Sequence, residues 1–157
     1  MRKADRQKDA QWAFEVFDKA PYMTVSMTRP DGKPYGLPLN VVLKDESTFY
    51  FHCADEGEKI DCIKHNPVVS ISAVSRCTPK YEEEKNNFTE YYNSAIAIGK
   101  AEIVTDKFEK KEALRLLCQH FLPKYMEHFD EAITRSLDRT TVVRVTLTEP
   151  PVGKSKP

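Results

Sequence analysis

Six β-rich runs recur along this chain, and the turn-length or helix-bearing joins between them do not alternate strand with helix. They are "YMTVSMT" (22–28), "LPLNVVL" (37–43), "TFYFHCA" (48–54), "VVSISAVS" (68–75), "SAIAIGKAEIV" (94–104) and "TTVVRVTLTE" (140–149). "RPDGKPYG", with Asp31-Gly32 at its tip, and "KDES" are turn-length links, so the first three runs form an antiparallel meander. A parallel sheet needs a crossover of a dozen or more residues between neighbouring strands. The pattern therefore predicts a mainly β (α+β) fold: a six-stranded antiparallel barrel with peripheral helices. Those helices are expected from an Asp5 cap to about residue 19, over 55–66, over 106–122 with Asp106 and Glu109 as a capping box, and over part of 124–137. The stretch 77–92 reads as a polar loop with embedded aromatics. Gly99 marks a bulge or bend in the fifth run.

A length of 157 residues suits one domain over 1–157. Lys+Arg and Asp+Glu are both 24, so no global field favours a polyanion, and nucleic acid is not an expected partner. No apolar run approaches the ~20 residues that span a bilayer, so no membrane partner is expected. "MRKADRQKDAQW" lacks an apolar segment and does not read as a secretory signal. Cys53, Cys62, Cys77 and Cys118 contain no CxxC pair and read as reduced thiols, which points to the cytoplasm. With no G-x-G-x-x-G and no Walker A sequence, any nucleotide would be held by other means.

The chemistry concentrates in "YFHCADEGEKIDCIKHNP", residues 50–67. His52, Cys53, Cys62 and His65 are zinc-ligand types, but neighbours on a strand point to opposite faces, so His52 and Cys53 cannot share a tetrahedral site. Cys77, Cys118, His120 and His128 show no ligand spacing, and no metal site is expected. Cys53 and Cys62 read as small packing residues. The competing reading is an anion seat. A strand ends at residue 54, a helix starts near Gly57, its first N–H groups are unpaired, and Lys59 lies in its first turn. Asp55, Glu56 and Glu58 oppose a phosphate there unless they point away.

"DGKPYGLPLNVVL", "FYFHCADEGEKIDCIKHNPVVSISAV", "FTEYYNSAIAIGKAEIV" and "KKEALRLLC" occur in an order that resembles the FMN-binding split barrel of the pyridoxamine 5'-phosphate oxidase-like superfamily, and within it the Nim-type nitroimidazole reductase branch. The resemblance covers most of residues 20–118, and Gly153-Lys154 is similar to the family's ending. It implies a homodimer with FMN in clefts at the subunit interface. It also implies that Lys59 and the backbone near Gly57 hold the FMN phosphate. Pro38, Leu39, Asn40 and Val41 would follow the isoalloxazine edge, and His52 and Ala54 would lie near the ribityl and phosphate. Ser94 and Ile96 would approach from the other subunit, with Lys154 as a further cofactor contact.

The expected function is that of a flavin oxidoreductase passing electrons from NAD(P)H through FMN to a small flat acceptor such as a nitroaromatic, with His52 as candidate general acid. Two rivals stand beside it: a flavin- or haem-binding module without turnover, and a pyridoxamine 5'-phosphate oxidase proper. Plainer readings also exist for single residues. Lys59 can be a solvated helix lysine, His52 a hydrogen-bonded barrel histidine, and Tyr91 and Tyr92 interface packing.

Overall fold

Alternating apolar residues build the strands, and the computed structural model describes residues 3–157. In chain order the elements are β1 (Gln7–Lys8), α1 (Ala10–Lys19), β2 (Met23–Thr28), β3 (Pro34–Leu39), β4 (Val41–Asp45), β5 (Thr48–Ala54), α2 (Glu58–His65), β6 (Val68–Glu82), β7 (Asn87–Ile103), α3 (Lys107–Phe121), α4 (Phe129–Ser136), β8 (Thr140–Leu147) and β9 (Val152–Lys156). The sheet has nine strands rather than the expected six. Its hydrogen-bonded path runs β3-β2-β6-β7-β8-β5-β4, with β9 between β7 and β1. The barrel is not closed by a ladder. β3 and β4 stand at the two ends of the path and are joined only by the chain at Asn40.

That break corrects the expected strand 37–43, whose first half pairs with β2 and whose second half pairs with β5. The expected loop 77–92 is the outer half of a long β6–β7 hairpin, closed by a short 3-10 turn at Glu83–Lys85 with Asn86 left-handed (φ 43°). The break in register falls at Ser75, between Val74 and Arg76, and not at Gly99. Gly99 serves close approach instead: a Cβ there would lie 2.6 Å from Val145 Cγ1 and 2.8 Å from the Thr146 carbonyl oxygen. The first helix is capped by Asp9, which accepts from the Trp12 N–H at 2.9 Å, and not by Asp5, which lies in a preceding 3-10 turn.

Two apolar clusters sandwich part of the sheet. Inside, Val25, Val41, Phe49, Phe51, Ile71, Val143 and Val145 meet Ala13, Phe14 and Phe17 of α1 and Cys62 and Ile63 of α2. Phe17 and Phe49 pack edge-to-face at 5.1 Å. Outside, Val42, Tyr50 and Val142 are covered by Leu114 and Leu117 of α3 and Phe129 and Ile133 of α4. The outer face of β2, β6 and β7 carries no such cover, and Tyr22, Val74 and Ile96 stay half exposed there.

Candidate functional site

Strand alternation along β5 decides the site's first half. Phe49, Phe51 and Cys53 turn inward, whereas Tyr50 and His52 turn outward beneath α3 and α4. His52 shares a cavity of about 210 Å³ with Asn40, Leu117, Cys118, Ile133 and Ser136. Its ring is exposed at the rim, yet desolvation by the apolar walls lowers its pKa, which favours the neutral imidazole. Cys53 and Cys62 both pack against the interior cluster, with Cys62 fully buried, and burial raises both thiol pKa values.

Past the end of β5 the chain turns into α2 at Gly57, whose φ of 116° suits glycine alone. No side chain caps this helix, and a Cβ at Gly57 would meet nothing within 4 Å; the Ile60 N–H donates to the Gly57 carbonyl at 2.9 Å, which leaves the N–H groups of Glu58 and Lys59 as the first-turn donors without a partner among the described residues. Lys59, half-buried, makes no ion pair among the described residues and lies close enough to Cys53 to act on its thiol. Glu58, the acid nearest Lys59 in sequence, is drawn away by Arg29, whose Nε lies 2.8 Å from its carboxylate. Arg29 was invisible to sequence reasoning, because it reaches the helix from the β2–β3 turn, 29 positions earlier.

The remaining expected contacts form a separate group. Pro38, Thr24, Ser72 and Ile96 lie in one row across β3, β2, β6 and β7, so Pro38 and Ile96 are separated by three strand spacings, ~14 Å. Ser94 pairs with Lys154 of β9, whose ammonium stands 5.6 Å from the Tyr92 ring centroid. Val41 is buried and Leu39 half-buried against the interior, so these two can offer a ligand only backbone groups. Ala54 is exposed at the end of β5, opposite Thr140. One chain thus brings together Asn40 with His52, and Gly57 with Lys59, while Ser94, Ile96 and Lys154 occupy the outer face of β7 and β9.

The model of the family described as pyridoxamine 5'-phosphate oxidase matches residues 9–152. Comparison with curated proteins returns no match. Among solved structures, a Bacteroides thetaiotaomicron protein named for a suggested role in 5-nitroimidazole antibiotic resistance is similar at 23% identity. The match covers 95% of this chain and 88% of that one, with a TM-score of 0.77. The flavocytochrome Anf3 of Azotobacter vinelandii superposes with a TM-score of 0.84 at 18% identity, over 100% of this chain and 72% of that one. An FAD and heme binding protein of Mycobacterium smegmatis does so at 0.82 and 16%, over 96% and 73%. At such identities these likenesses speak to the fold. No helix among the described residues is long and apolar enough to cross a membrane. The match over residues 9–152, on a sheet of this topology, makes the chain a member of the pyridoxamine 5'-phosphate oxidase family.

Proposed function

We propose that this chain is an FMN-binding oxidoreductase that passes electrons from a reduced nicotinamide to a small flat acceptor such as a nitroaromatic. The observation that carries the reading is the seat at the start of α2: an uncapped helix N-terminus at a left-handed glycine, an unpaired lysine in its first turn, and the adjoining glutamate held by Arg29. Bound FMN would supply the hydride and single-electron chemistry. The protein's part is to hold the phosphate with Lys59 and the Gly57–Lys59 backbone, and to present Asn40 and neutral His52 beside the strand break. A neutral imidazole can donate and accept one hydrogen bond each, which suits His52 to passing a proton to a reduced acceptor.

The same reading has the protein act as a homodimer. Tyr22, Val74 and Ile96 lie exposed on a sheet face without helical cover, and Ser94, Ile96 and Lys154 share that side of the molecule. They would complete a partner's flavin cleft.

Titration of the purified protein with FMN and riboflavin is the test. Lys59→Ala should weaken FMN by ~10–150-fold, the equivalent of one charge-assisted contact of about 1.5–3 kcal/mol, and leave riboflavin unchanged. Equal weakening of both ligands, or no flavin binding by the wild type, refutes the seat. NADPH oxidation that does not rise on adding a nitroaromatic would favour a flavin-binding module without turnover. The apolar cavity at His52 keeps a haem module as the second reading, and a Soret band in place of flavin absorbance would favour it.

A further inference from the structure

The cavity of about 210 Å³ beneath α3 and α4 is closed to charge. Asn40 and His52 face it from the strand break and from β5, Leu117 and Cys118 from α3, and Ile133 and Ser136 from α4. No lysine, arginine, aspartate or glutamate lines it. Desolvation pushes both of its titratable groups toward their uncharged forms, lowering the pKa of the His52 imidazole and raising that of the Cys118 thiol. A carboxylate or phosphate that entered would give up its hydration without meeting a counter-charge.

The free polar atoms gather at the mouth. Leu117 and Ile133 are buried in the core cluster between the helices and the sheet, whereas Asn40 and His52 are exposed. The Ser136 and Thr140 hydroxyls donate to the carbonyls of Ala132 and Ser136, at 3.3 and 3.0 Å, so both are spent within the chain. The side chains of Asn40 and His52 have no hydrogen-bond partner among the described residues. A carboxamide and a neutral imidazole can each donate to an oxygen placed between them. An apolar cavity of ~150 Å³ holds one benzene ring, so a single ring with a small substituent fits here.

We propose that this cavity binds an uncharged molecule of one aromatic ring and rejects anions of the same shape. The ring lies against Leu117 and Ile133, and a carbonyl-type oxygen on its edge accepts from Asn40 and His52. Pyridoxamine 5'-phosphate, an anion, is thereby excluded. The binding stands on the lining residues alone; only the ligand's role as electron acceptor rests on the oxidoreductase reading above.

Chemical-shift titration of the isotope-labelled full-length protein at pH 7 with benzamide, benzoate and toluene is the test, on the wild type, on Asn40→Ala and on the cavity-filling Cys118→Phe. Asn40 is exposed, so Asn40→Ala should keep the wild-type melting temperature. Benzamide should move the backbone signals of Leu117, Cys118 and Ile133 and bind at least tenfold more tightly than benzoate. Asn40→Ala should weaken benzamide severalfold and leave toluene unchanged, and Cys118→Phe should abolish binding of both. Benzoate bound as tightly as benzamide overturns the charge selection. Benzamide affinity unchanged in either variant, or shifts confined to other residues, overturns the location, and no binding by the wild type overturns the site. A Soret band that Cys118→Phe removes assigns the cavity to haem and overturns the proposal. The titrations need neither FMN nor turnover, so failure of the flavin reading would leave them interpretable. In the FMN-loaded protein, benzamide inhibition competitive with a nitroaromatic supports the acceptor role, and benzamide bound without inhibition overturns that role alone.

Discussion

Replacing Glu109 by alanine should cost this protein more than any other single change at a half-exposed acid. Glu109 accepts the Tyr50 hydroxyl at 2.7 Å and takes both its oxygens to Arg144, at 2.7 and 2.9 Å. The capping box is therefore only half made. The Asp106 carboxylate accepts from the Glu109 N–H at 2.7 Å, but the Glu109 side chain crosses to β5 and β8 instead of returning to the helix start. Tyr50 is 2% exposed, so removing its acceptor strands a buried hydroxyl, at about 1–3 kcal/mol. The Arg144–Glu109 pair is partly solvated and adds only about 0.5–1 kcal/mol, since Arg144 keeps Glu102 at 3.2 Å. Glu109→Ala should thus cost ~1.5–4 kcal/mol, a fall in Tm of roughly 3–16 °C for a chain of this size. Tyr50→Phe removes donor and acceptor need together and should cost about 0.5–1.5 kcal/mol. In the double variant the stranded hydroxyl is gone, so urea unfolding of the four proteins should show a coupling near 1–2 kcal/mol. Strict additivity, or a Glu109→Ala cost below 0.5 kcal/mol, would refute the network as described.

The same tyrosine makes stability fall in alkali. Burial, then the bond to Glu109, push its pKa to about 12, so the neutral phenol's advantage is full below pH 10 and is lost as pH rises through 12; Tyr50→Phe should flatten the urea midpoint over that window. Glu109 works in the opposite sense. Burial opposes its charge, but Tyr50 and Arg144 more than offset this and lower its pKa, so its contribution is present at neutral pH and fades as pH falls below the ordinary glutamate value of 4.5. Gly57→Ala should lower stability by ~1–3 kcal/mol through backbone strain alone, because a Cβ there meets no neighbour; an unchanged urea midpoint would contradict the φ of 116°. Gly99→Ala should cost about 1–3 kcal/mol for the opposite reason, a clash with Val145 and the Thr146 carbonyl, and a neutral effect by thermal denaturation would contradict that packing.

Strand alternation and helix signals are local, and the sequence alone determined what depends on them. β5 falls on Thr48–Ala54 as the apolar run predicts, and the turn from His52 to Cys53 splits them between the outer cavity and the interior cluster. Gly57 heads α2 and Asp106 caps α3 for the same reason, since each signal acts within one turn of the chain. Tertiary structure decided the rest. The polar residues of 77–92 carry no strand pattern, yet the paired edges of β6 and β7 propagate the ladder outward through them. The run 37–43 breaks at Asn40 because its two halves serve the two ends of the sheet, and no local signal records which neighbour each half meets. Of the three acids that oppose an anion at the start of α2, Arg29 takes up Glu58 across 29 positions of sequence, whereas Asp55 and Glu56 meet no cation among the described residues. Sequence periodicity reports which way a side chain turns; only the assembled sheet decides which charge it meets there.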